Sequence, residues 1–348
     1  MIVTTHIPLR NWTEIGPAAR QAEADGFDAI SFPEIRHDPF AAAALATVAT
    51  ERIRLVTSVA IAFPRSPMVV AHSAWDLARN SGGRFTLGLG SQVRAHNERR
   101  FSVPWSSPAA RMGEYVEALR AIFRTWQSRE KLNYQGKHYQ FTLMTPEFSP
   151  GPQDVPAPPI SIAAVGPLML RTAARTSDGA RLHGFATRRY LEEVVRPVIA
   201  AELARAGKTW EHFEVSGGGF IVTGPDERSV AAAAEGIRYR IAFYGSTPQY
   251  RVVFEQHGIG ELGDKLNAMS RKGEWNDMAR EISDDVLDLF VARATYDNLP
   301  RALEARFGGV VDSVSFEFLP DDPPELRRRV VASVKEVPHR FQGFVRAG

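Results

Sequence analysis

Ser81-Gly82-Gly83-Arg84-Phe85-Thr86-Leu87-Gly88-Leu89-Gly90 is the stretch of sequence that decides the fold. Its first three residues end an apolar helical pattern, and the residues after them form a short apolar run that is typical of a buried strand. The same order recurs along the chain, with strands predicted at 2–7, 29–32, 54–60, 85–89, 160–164, 180–183, 213–222 and 311–318. Eight strands that alternate with helices predict a closed parallel (β/α)8 barrel, the TIM barrel of the α/β class.

An open, doubly wound sheet is the competing architecture. Its usual fingerprint is GxGxxG directly after the first strand, but Pro8-Leu9-Arg10-Asn11-Trp12 stands at that place. The barrel needs about 250 residues, and the chain has 348. A Pro-rich excursion near 129–158 and an irregular one near 245–282 account for the difference. We therefore predict one barrel domain over 1–348 with these two insertions.

Composition limits the chemistry that the chain can perform. The sequence has no cysteine, which excludes disulfides, a thiolate nucleophile and zinc–sulfur sites. A formal net charge of +2 gives no reason to expect nucleic acid as a partner. HExxH is absent, and we expect no metal site. Because no signal peptide or membrane span is recognisable, we expect a cytoplasmic protein without a membrane partner, acting on a small-molecule substrate.

Polar residues that follow the strands are the candidates for catalysis, because the active site of such a barrel lies at the carboxyl ends of its strands. Four histidines fall at predicted strand ends or in the loops beyond them: His6, His37, His96 and His183. For each of them a purely structural hydrogen-bonding role is about equally common. We select His96, together with Glu34 and His37, as candidates for proton transfer or substrate orientation near neutral pH.

Two runs of small residues could hold a cofactor. Gly88-Leu89-Gly90-Ser91 would let a flat ring or a phosphate approach the backbone, although glycine also serves packing beside a strand end. Ala164-Val165-Gly166-Pro167 opens a helix whose free amides favour a phosphate, although an ordinary tight turn has the same composition. The sequence leaves both alternatives open at both places.

Aromatic residues are concentrated around the first insertion. They could wall an apolar substrate pocket, or they could merely anchor the insertion onto the barrel. The residues are Phe101, Trp105, Tyr134, Tyr139, Phe141 and Phe148.

Several motifs, taken together in their order and spacing, are similar to those of a known family. They are Ala24-Asp25-Gly26-Phe27-Asp28, His37-Asp38-Pro39-Phe40, the runs 49–59, 81–90 and 159–166, Pro108-Ala109-Ala110-Arg111, and Ser177-Asp178-Gly179-Ala180. On these motifs the chain resembles the bacterial luciferase-like monooxygenase superfamily, and within it the branch that uses the deazaflavin coenzyme F420.

The resemblance implies a cofactor at the carboxyl-terminal mouth of the barrel, F420 in the first place and FMN as the alternative. It implies a non-proline cis peptide between Ser58 and Val59, behind the ring of the cofactor. It also implies that Glu34 faces the redox centre and that two helices beside the second and third strands form a homodimer. The other implied cofactor-binding residues are Gly90, Ser91, Gln92, Ala164, Val165, Gly166, His183 and Gly184.

The function implied by the resemblance is hydride transfer between F420 and a small organic substrate. One alternative is an FMN-dependent monooxygenase that uses O2 and is supplied by a separate reductase, and another is a non-catalytic flavin-binding barrel. Val93 stands where the sugar-phosphate dehydrogenases of the family carry a glutamate, so oxidation of a sugar phosphate is not expected.

Overall fold

Eight parallel strands close into a barrel, which confirms the predicted fold class. The computed structural model describes residues 1–345. Hydrogen bonds connect the strands in the order β3-β2-β1-β8-β7-β6-β5-β4, and β4 pairs with β3 to close the ring. The strands are β1 (Ile2–His6), β2 (Ala29–Phe32), β3 (Arg54–Thr57), β4 (Phe85–Gly90), β5 (Ile160–Ala164), β6 (Gly179–Leu182), β7 (Glu214–Gly217) and β8 (Ser313–Ser315).

Helices follow the strands and cover the outside of the barrel. The first half of the chain contains helices Trp12–Ala24, Pro39–Ala49, Pro67–Asn80, Arg94–Arg99 and Pro108–Ser128. The second half contains Pro167–Thr176, Arg188–Tyr190, Arg196–Arg205, Glu227–Gly245, Arg251–Glu255, Gly260–Lys272, Asp284–Phe290, Leu299–Phe307 and Pro324–Lys335. A π-helical turn spans Leu191–Val195, and 3-10 turns lie at Pro146–Phe148, Trp210–His212, Pro248–Tyr250 and Met278–Glu281. Within residues 1–345, none of the helices has the length and apolar character that crossing a membrane requires.

The helix Pro39–Ala49 shows how the sequence fixes the start of an element. One oxygen of the Asp38 carboxylate accepts hydrogen bonds from the backbone N–H groups of Phe40 and Ala41, at 2.9 and 3.0 Å. Proline occupies the first helical position, where no N–H is needed. The helix therefore begins a few residues after β2, as the Asp-Pro pair predicts, and the loop between them stays short.

The seventh predicted strand, 213–222, is wrong in its extent because the chain leaves the barrel in the middle of it. β7 ends at Gly217, and Gly217 and Gly218 have φ values of +83° and +90°, which a continuous strand does not allow. The chain continues as Phe220–Gly224, which pairs in parallel with Val291–Thr295 in a separate two-stranded sheet. The sequence did not predict this last strand.

The two insertions differ in regularity. In the first, a hairpin joins Tyr134–Gln135 to Gln140–Phe141. The second, expected to be irregular, contains the helices Arg251–Glu255 and Gly260–Lys272, so that expectation is wrong. Both helices bury apolar side chains, among them Phe254, and this packing against the helix Glu227–Gly245 stabilises them.

The interior of the barrel contains charged side chains. Arg54 of β3 donates two hydrogen bonds, of 3.0 and 2.8 Å, to the two carboxylate oxygens of Glu214 in β7. Because β3 and β7 are not neighbours in the sheet, this contact crosses the interior. Gly88, Ser161 and Gly179 are in register with Glu214 across neighbouring strands, so they lie on the same inner face of the barrel. Their small size leaves room there for the side chains of the ion pair.

Replacing Gly88 by alanine is expected to destabilise the barrel. A Cβ at this position would lie 1.9 Å from the carbonyl oxygen of Thr57 and 3.0 Å from Cδ of Arg181. Since the first of these atoms is backbone in a paired strand, we expect Gly88→Ala to lower the free energy of unfolding by about 3 kcal/mol or more. Urea denaturation followed by circular dichroism measures this change.

The control for this variant is Gly236→Ala. A Cβ there meets no atom within 4 Å, and Gly236 lies inside the helix Glu227–Gly245. The control should raise the free energy of unfolding by about 0.5–1 kcal/mol, the usual gain of alanine over glycine in a helix. A Gly88→Ala variant as stable as the wild type would contradict the close contact between β3 and β4.

Candidate active site

A bulge at the end of β3 forms one wall of the mouth of the barrel. β3 stops at Thr57, and the chain resumes pairing at Ala60–Ile61, which lies beside Leu89 and Gly90 of β4. The peptide bond between Ser58 and Val59 is cis, as the family resemblance implies.

The glycines of β4 are explained by this bulge. A Cβ on Gly90 would lie 2.5 Å from Cγ2 of Val59, and a Cβ on Gly88 would overlap the backbone of Thr57. Of the two roles considered for the glycine-rich run, packing therefore accounts for both residues. Contact of Gly90 with a cofactor stays a prediction.

Arg181 is a residue of the mouth that the sequence analysis missed. Its Nε donates a hydrogen bond of 3.2 Å to Oγ of Ser58 in the bulge, across the interior from β6. Burial lowers the pKa of Arg181 to about 10, with the Glu214 carboxylate opposing this effect, so the side chain is a cation at neutral pH. The available signal was a charged residue between Ala180 and Leu182 in a predicted buried strand.

Glu34 serves as an anchor for the segment after the bulge. Its carboxylate accepts hydrogen bonds from the backbone N–H of Ile61 and from Arg65, each at 2.7 Å. Arg65 also contacts Asp38 at 3.0 Å. The carboxylate of Glu34 is thus engaged by two donors, and its part in proton transfer stays a prediction.

His37 and His96 lie on the surface around the mouth. Both side chains are exposed, and neither makes a side-chain hydrogen bond within residues 1–345. His37 follows β2 in a loop, whereas His96 belongs to the helix Arg94–Arg99 after β4. The structure does not join these histidines to Glu34 through hydrogen bonds, and their roles in proton transfer stay predictions.

The loop after β4 is held by a buried asparagine. Nδ2 of Asn97 donates to the carbonyl oxygens of Ser91 and Val93, at 2.9 and 3.1 Å, and so fixes Gln92, whose φ is +56°. Oδ1 of Asn97 is buried and has no partner within residues 1–345. The loop therefore has a fixed shape, and the contacts of Ser91 and Gln92 with a cofactor stay predictions.

The backbone after β5 is open at the start of a helix. Gly166 precedes the helix Pro167–Thr176 without a side-chain cap, and a Cβ on Gly166 would meet no atom within 4 Å. The hydroxyl of Tyr190 donates to the carbonyl oxygen of Val165 at 2.9 Å and fixes this turn. Free amides at a helix start favour an anion, which agrees with the predicted phosphate contact of Ala164, Val165 and Gly166 without testing it.

His183 lies after β6 and is uncharged at neutral pH. Burial and, to a lesser degree, the charge of Arg240 lower its pKa to about 4. The backbone N–H of Phe185 donates to Nδ1 at 2.9 Å, so the proton of the neutral ring is on Nε2. Tyr244 and Tyr250 cover the ring, with centroids 4.2 and 5.0 Å away.

The space beside Gly184, by contrast, is filled by another side chain. A Cβ on Gly184 would lie 2.6 Å from the ring of Phe220, which follows β7. Its predicted contact with a cofactor stays a prediction, while the structure explains the absence of a side chain.

His6 and Glu317 meet where β1 and β8 end. The structure places Glu317 Oε1 3.4 Å and Ser315 Oγ 3.2 Å from Nδ1 of His6. The hydrogen bond from His6, its charge and that of Arg240 lower the pKa of Glu317.

The aromatic residues in the loop after β4 and in the first insertion have two different roles. Trp105 contacts the ring of Phe63, just after the bulge, with centroids 6.3 Å apart. Tyr139 instead packs on Tyr115 and accepts a hydrogen bond from Arg111 at 2.9 Å, which anchors the insertion. Only the first of these places an aromatic ring beside the mouth.

These features define an enzyme of the (β/α)8 class with its site at the carboxyl-terminal mouth. Within residues 1–345 no group of three or more histidine, aspartate or glutamate side chains could hold a metal ion. The chain belongs to the luciferase-like monooxygenase family, whose pattern matches residues 3–312. The family predicted from the sequence is therefore confirmed.

Similar proteins include one of unassigned function and two reductases. An uncharacterized protein of Mycobacterium tuberculosis is 46% identical over 297 residues, which cover 85% of this chain and 87% of that protein. The 5,10-methylenetetrahydromethanopterin reductase of Archaeoglobus fulgidus is 28% identical, with 89% and 91% covered. The solved structure of the coenzyme F420 dependent tetrahydromethanopterin reductase of Methanopyrus kandleri superposes with a TM-score of 0.74 at 21% identity and covers 96% of this chain and 97% of its own.

His183 is expected to stay neutral down to about pH 5 in the folded protein. Because its folded pKa of about 4 lies below the ordinary histidine value of 6.5, the unfolded chain binds the proton more readily. The free energy of unfolding should therefore fall as the pH drops from 6.5 towards 4. NMR titration of ring nitrogens measures the pKa directly, and Arg240→Gln, which removes a nearby cation, should raise it. A midpoint above pH 6 in the wild type would contradict the environment described.

Proposed function

We propose that this protein is an F420-dependent oxidoreductase that transfers a hydride between the deazaflavin and a small organic substrate. The observation that carries the proposal is the bulge at Ser58 and Val59, held from inside the barrel by Arg181 and beside β4 by glycines. Such a bulge offers a flat support for a tricyclic ring at the mouth. Family membership and the F420-dependent reductase of the same fold support this interpretation.

The groups around the bulge suit such a coenzyme. The uncapped helix start after Gly166 would bind a phosphate. Nε2 of neutral His183 is available to donate a hydrogen bond. Donors are thus present for the polar edge and the phosphate of the coenzyme.

Each residue has a defined task in this proposal. F420, when bound, supplies a hydride acceptor or donor. Val59 and Ser58 would support its ring, Gly90 to Gln92 would line its side chain, and the turn at Ala164 to Gly166 would hold the phosphate. Tyr244 and Tyr250, which cover His183, would restrict the entry of water. The small-molecule substrate, the cytoplasmic location and a separate reductase stay predictions.

Binding of F420 is expected to quench the fluorescence of Trp105. This indole lies beside Phe63, next to the bulge, and is the tryptophan on the insertion side of the mouth. A titration with F420 should show saturable quenching that Trp105→Phe largely removes while binding, measured by equilibrium dialysis, persists. Gly90→Ala, whose Cβ would displace Val59, should weaken binding by about 10-fold or more, equivalent to about 1.4 kcal/mol.

FMN serves as the competing ligand in the same titration. Tighter binding of FMN than of F420, with oxygen consumption by reduced FMN, would favour the monooxygenase alternative. Saturable binding of neither compound would contradict the proposal.

We also propose that the protein forms a homodimer through the helices Pro39–Ala49 and Pro67–Asn80. Val48 and Val69 on these helices are 84% and 58% exposed, and Ile35, in the loop before the first of them, is 67% exposed. Exposed apolar side chains on two helices that pack against each other are typical of a contact surface.

Light scattering is expected to give twice the mass of one chain. Val48→Glu should produce monomers, because a charge on this face opposes its burial. A wild type that is monomeric at all concentrations would exclude the dimer.

A further inference from the structure

An exposed arginine stands at the rim of the mouth. Arg240 lies on the helix Glu227–Gly245, and its guanidinium carbon is 4.9 Å from the centroid of the Phe220 ring. Phe220 in turn fills the space beside Gly184, after β6. Because a guanidinium group is attracted to the face of an aromatic ring, Phe220 holds this cation beside the mouth.

The charge of Arg240 acts on the groups of the mouth on either side of it. After burial, it is the second cause that lowers the pKa of His183, which follows β6. After the interaction with His6, it contributes to lowering the pKa of Glu317, which follows β8. Both effects require the guanidinium group to lie near the ends of these strands.

The guanidinium group of Arg240 is available for a ligand. Within residues 1–345 no carboxylate lies within ion-pair distance of it, and none of its nitrogens donates a hydrogen bond. Glu235, on the same helix, is engaged instead by Arg238 at 3.1 Å. The planar fork of N–H donors, which matches the two oxygens of a carboxylate, is therefore unused.

Aromatic rings extend from the mouth to the outer surface beside Arg240. The ring centroid of Tyr244 is 4.2 Å from that of His183. The ring of Phe243 lies 5.3 Å from Tyr244 and 5.8 Å from the ring of Trp275. Phe243 and Trp275 are 43% and 40% exposed, so a ligand can reach them. We call Tyr244, Phe243 and Trp275 the aromatic wall.

The cation and the aromatic wall adjoin each other because of helical spacing. Phe243 and Tyr244 follow Arg240 by three and four residues, and side chains at these spacings are neighbours on a helix surface. One ligand can therefore place an anionic group on the guanidinium group and a flat apolar group against the rings. Offset or edge-on contacts between aromatic rings add affinity beyond the burial of area.

We propose that Arg240 and the aromatic wall recognise the substrate, and that the substrate is a carboxylate that carries an aromatic ring. The inference rests on the proposed function for the reaction that this substrate undergoes. Arg240 is a specificity residue in this assignment: its fork of donors binds the carboxylate, and the ring of the substrate lies along Phe243 and Tyr244 on its way into the mouth.

Calorimetric titration of the full-length, F420-loaded protein with three small probes tests this assignment. Phenylacetate has both the ring and the charge, phenylacetamide has the ring alone, and acetate has the charge alone. Phenylacetate should bind about 10-fold tighter than phenylacetamide, because a hydrogen bond between two charged groups is stronger than one to a neutral amide. Acetate should bind about 10-fold weaker than phenylacetate, since it cannot contact the wall.

Variants at the two parts of the site should separate their contributions. Arg240→Gln should remove the preference for phenylacetate while phenylacetamide binds as in the wild type, which also shows that the variant is folded. Arg240→Lys should keep part of the preference, because it retains the charge and loses the fork. Phe243→Ala should weaken both aromatic probes to a similar degree and leave acetate unchanged.

The matched control is Arg228→Gln. Arg228 is an exposed cation on the same helix, without an ion pair within residues 1–345, and lies about 18 Å from Arg240 along the helix axis. This variant removes the same charge far from the mouth, and all three probes should bind as they do to the wild type.

Several results would overturn the inference. They are equal binding of phenylacetate and phenylacetamide, a preference that persists in Arg240→Gln, and the absence of saturable binding of either aromatic probe. Light scattering that shows assemblies which Phe243→Ala dissociates would assign the aromatic wall to a contact between copies of this chain, and would overturn the inference as well.

Failure of the inference is distinguishable from failure of the proposed function. Absence of F420 binding would reject the oxidoreductase itself. The probes can then be titrated without F420, because Arg240 and the aromatic wall belong to the chain alone. A carboxylate preference that Arg240→Gln removes would in that case support the ligand class without the reaction.

Discussion

The ion pair between Arg54 and Glu214 is the interaction on which the rest of the barrel depends. Removing these charges from water costs several kcal/mol for each ion. This cost is offset because each carboxylate oxygen of Glu214 accepts a hydrogen bond from the guanidinium group of Arg54. Arg181 adds a second cation beside the same carboxylate and extends to Ser58, so the charge at the bottom of the barrel is connected to the bulge at its mouth. Small residues on β4, β5 and β6 are a consequence, since larger ones would displace these side chains. The shape of the site is thus fixed from within.

The fold was predictable to the extent that it depends on local pattern. Apolar runs, Asp-Pro pairs at helix starts and glycines at helix ends predict seven of the barrel strands to within a few residues at each end. These signals suffice because periodicity and capping act over a few residues. The end of β7 was not predictable in the same way. Phe213 to Val222 is a continuous strand-like run, and the departure after Gly217 depends on pairing with Val291–Thr295, about 70 residues further along. Pairing between distant segments leaves little trace in either segment alone.

The sequence predicted where the candidate site lies better than it predicted which residues form it. The bulge at Ser58 and Val59 and the turn at Gly166 could be located from motifs. Among the histidines, His6 and His183 lie within one residue of a strand end and face the mouth, whereas His37 and His96 lie five or more residues beyond and are exposed. The direction of a side chain can be predicted at a strand end because side chains alternate along the strand, whereas a loop can turn in any direction. Arg181 and Glu317 were missed because their partners come from β3, β7 and β1, which the sequence does not place side by side.

The two-stranded sheet formed by Phe220–Gly224 and Val291–Thr295 has a consequence for one wall of the mouth. Everything between these strands, including the helix that carries Arg240 and Tyr244 and the turn with Tyr250, enters and leaves the barrel through one pair of adjacent chain segments. The segment is held by these two strands and by packing of Phe254 and Phe290 on Phe185, with ring centroids 5.1 and 4.5 Å apart. The half of the mouth beside His183 therefore depends on how this one segment is held, while the half beside Ser58 is tied to the charges inside the barrel.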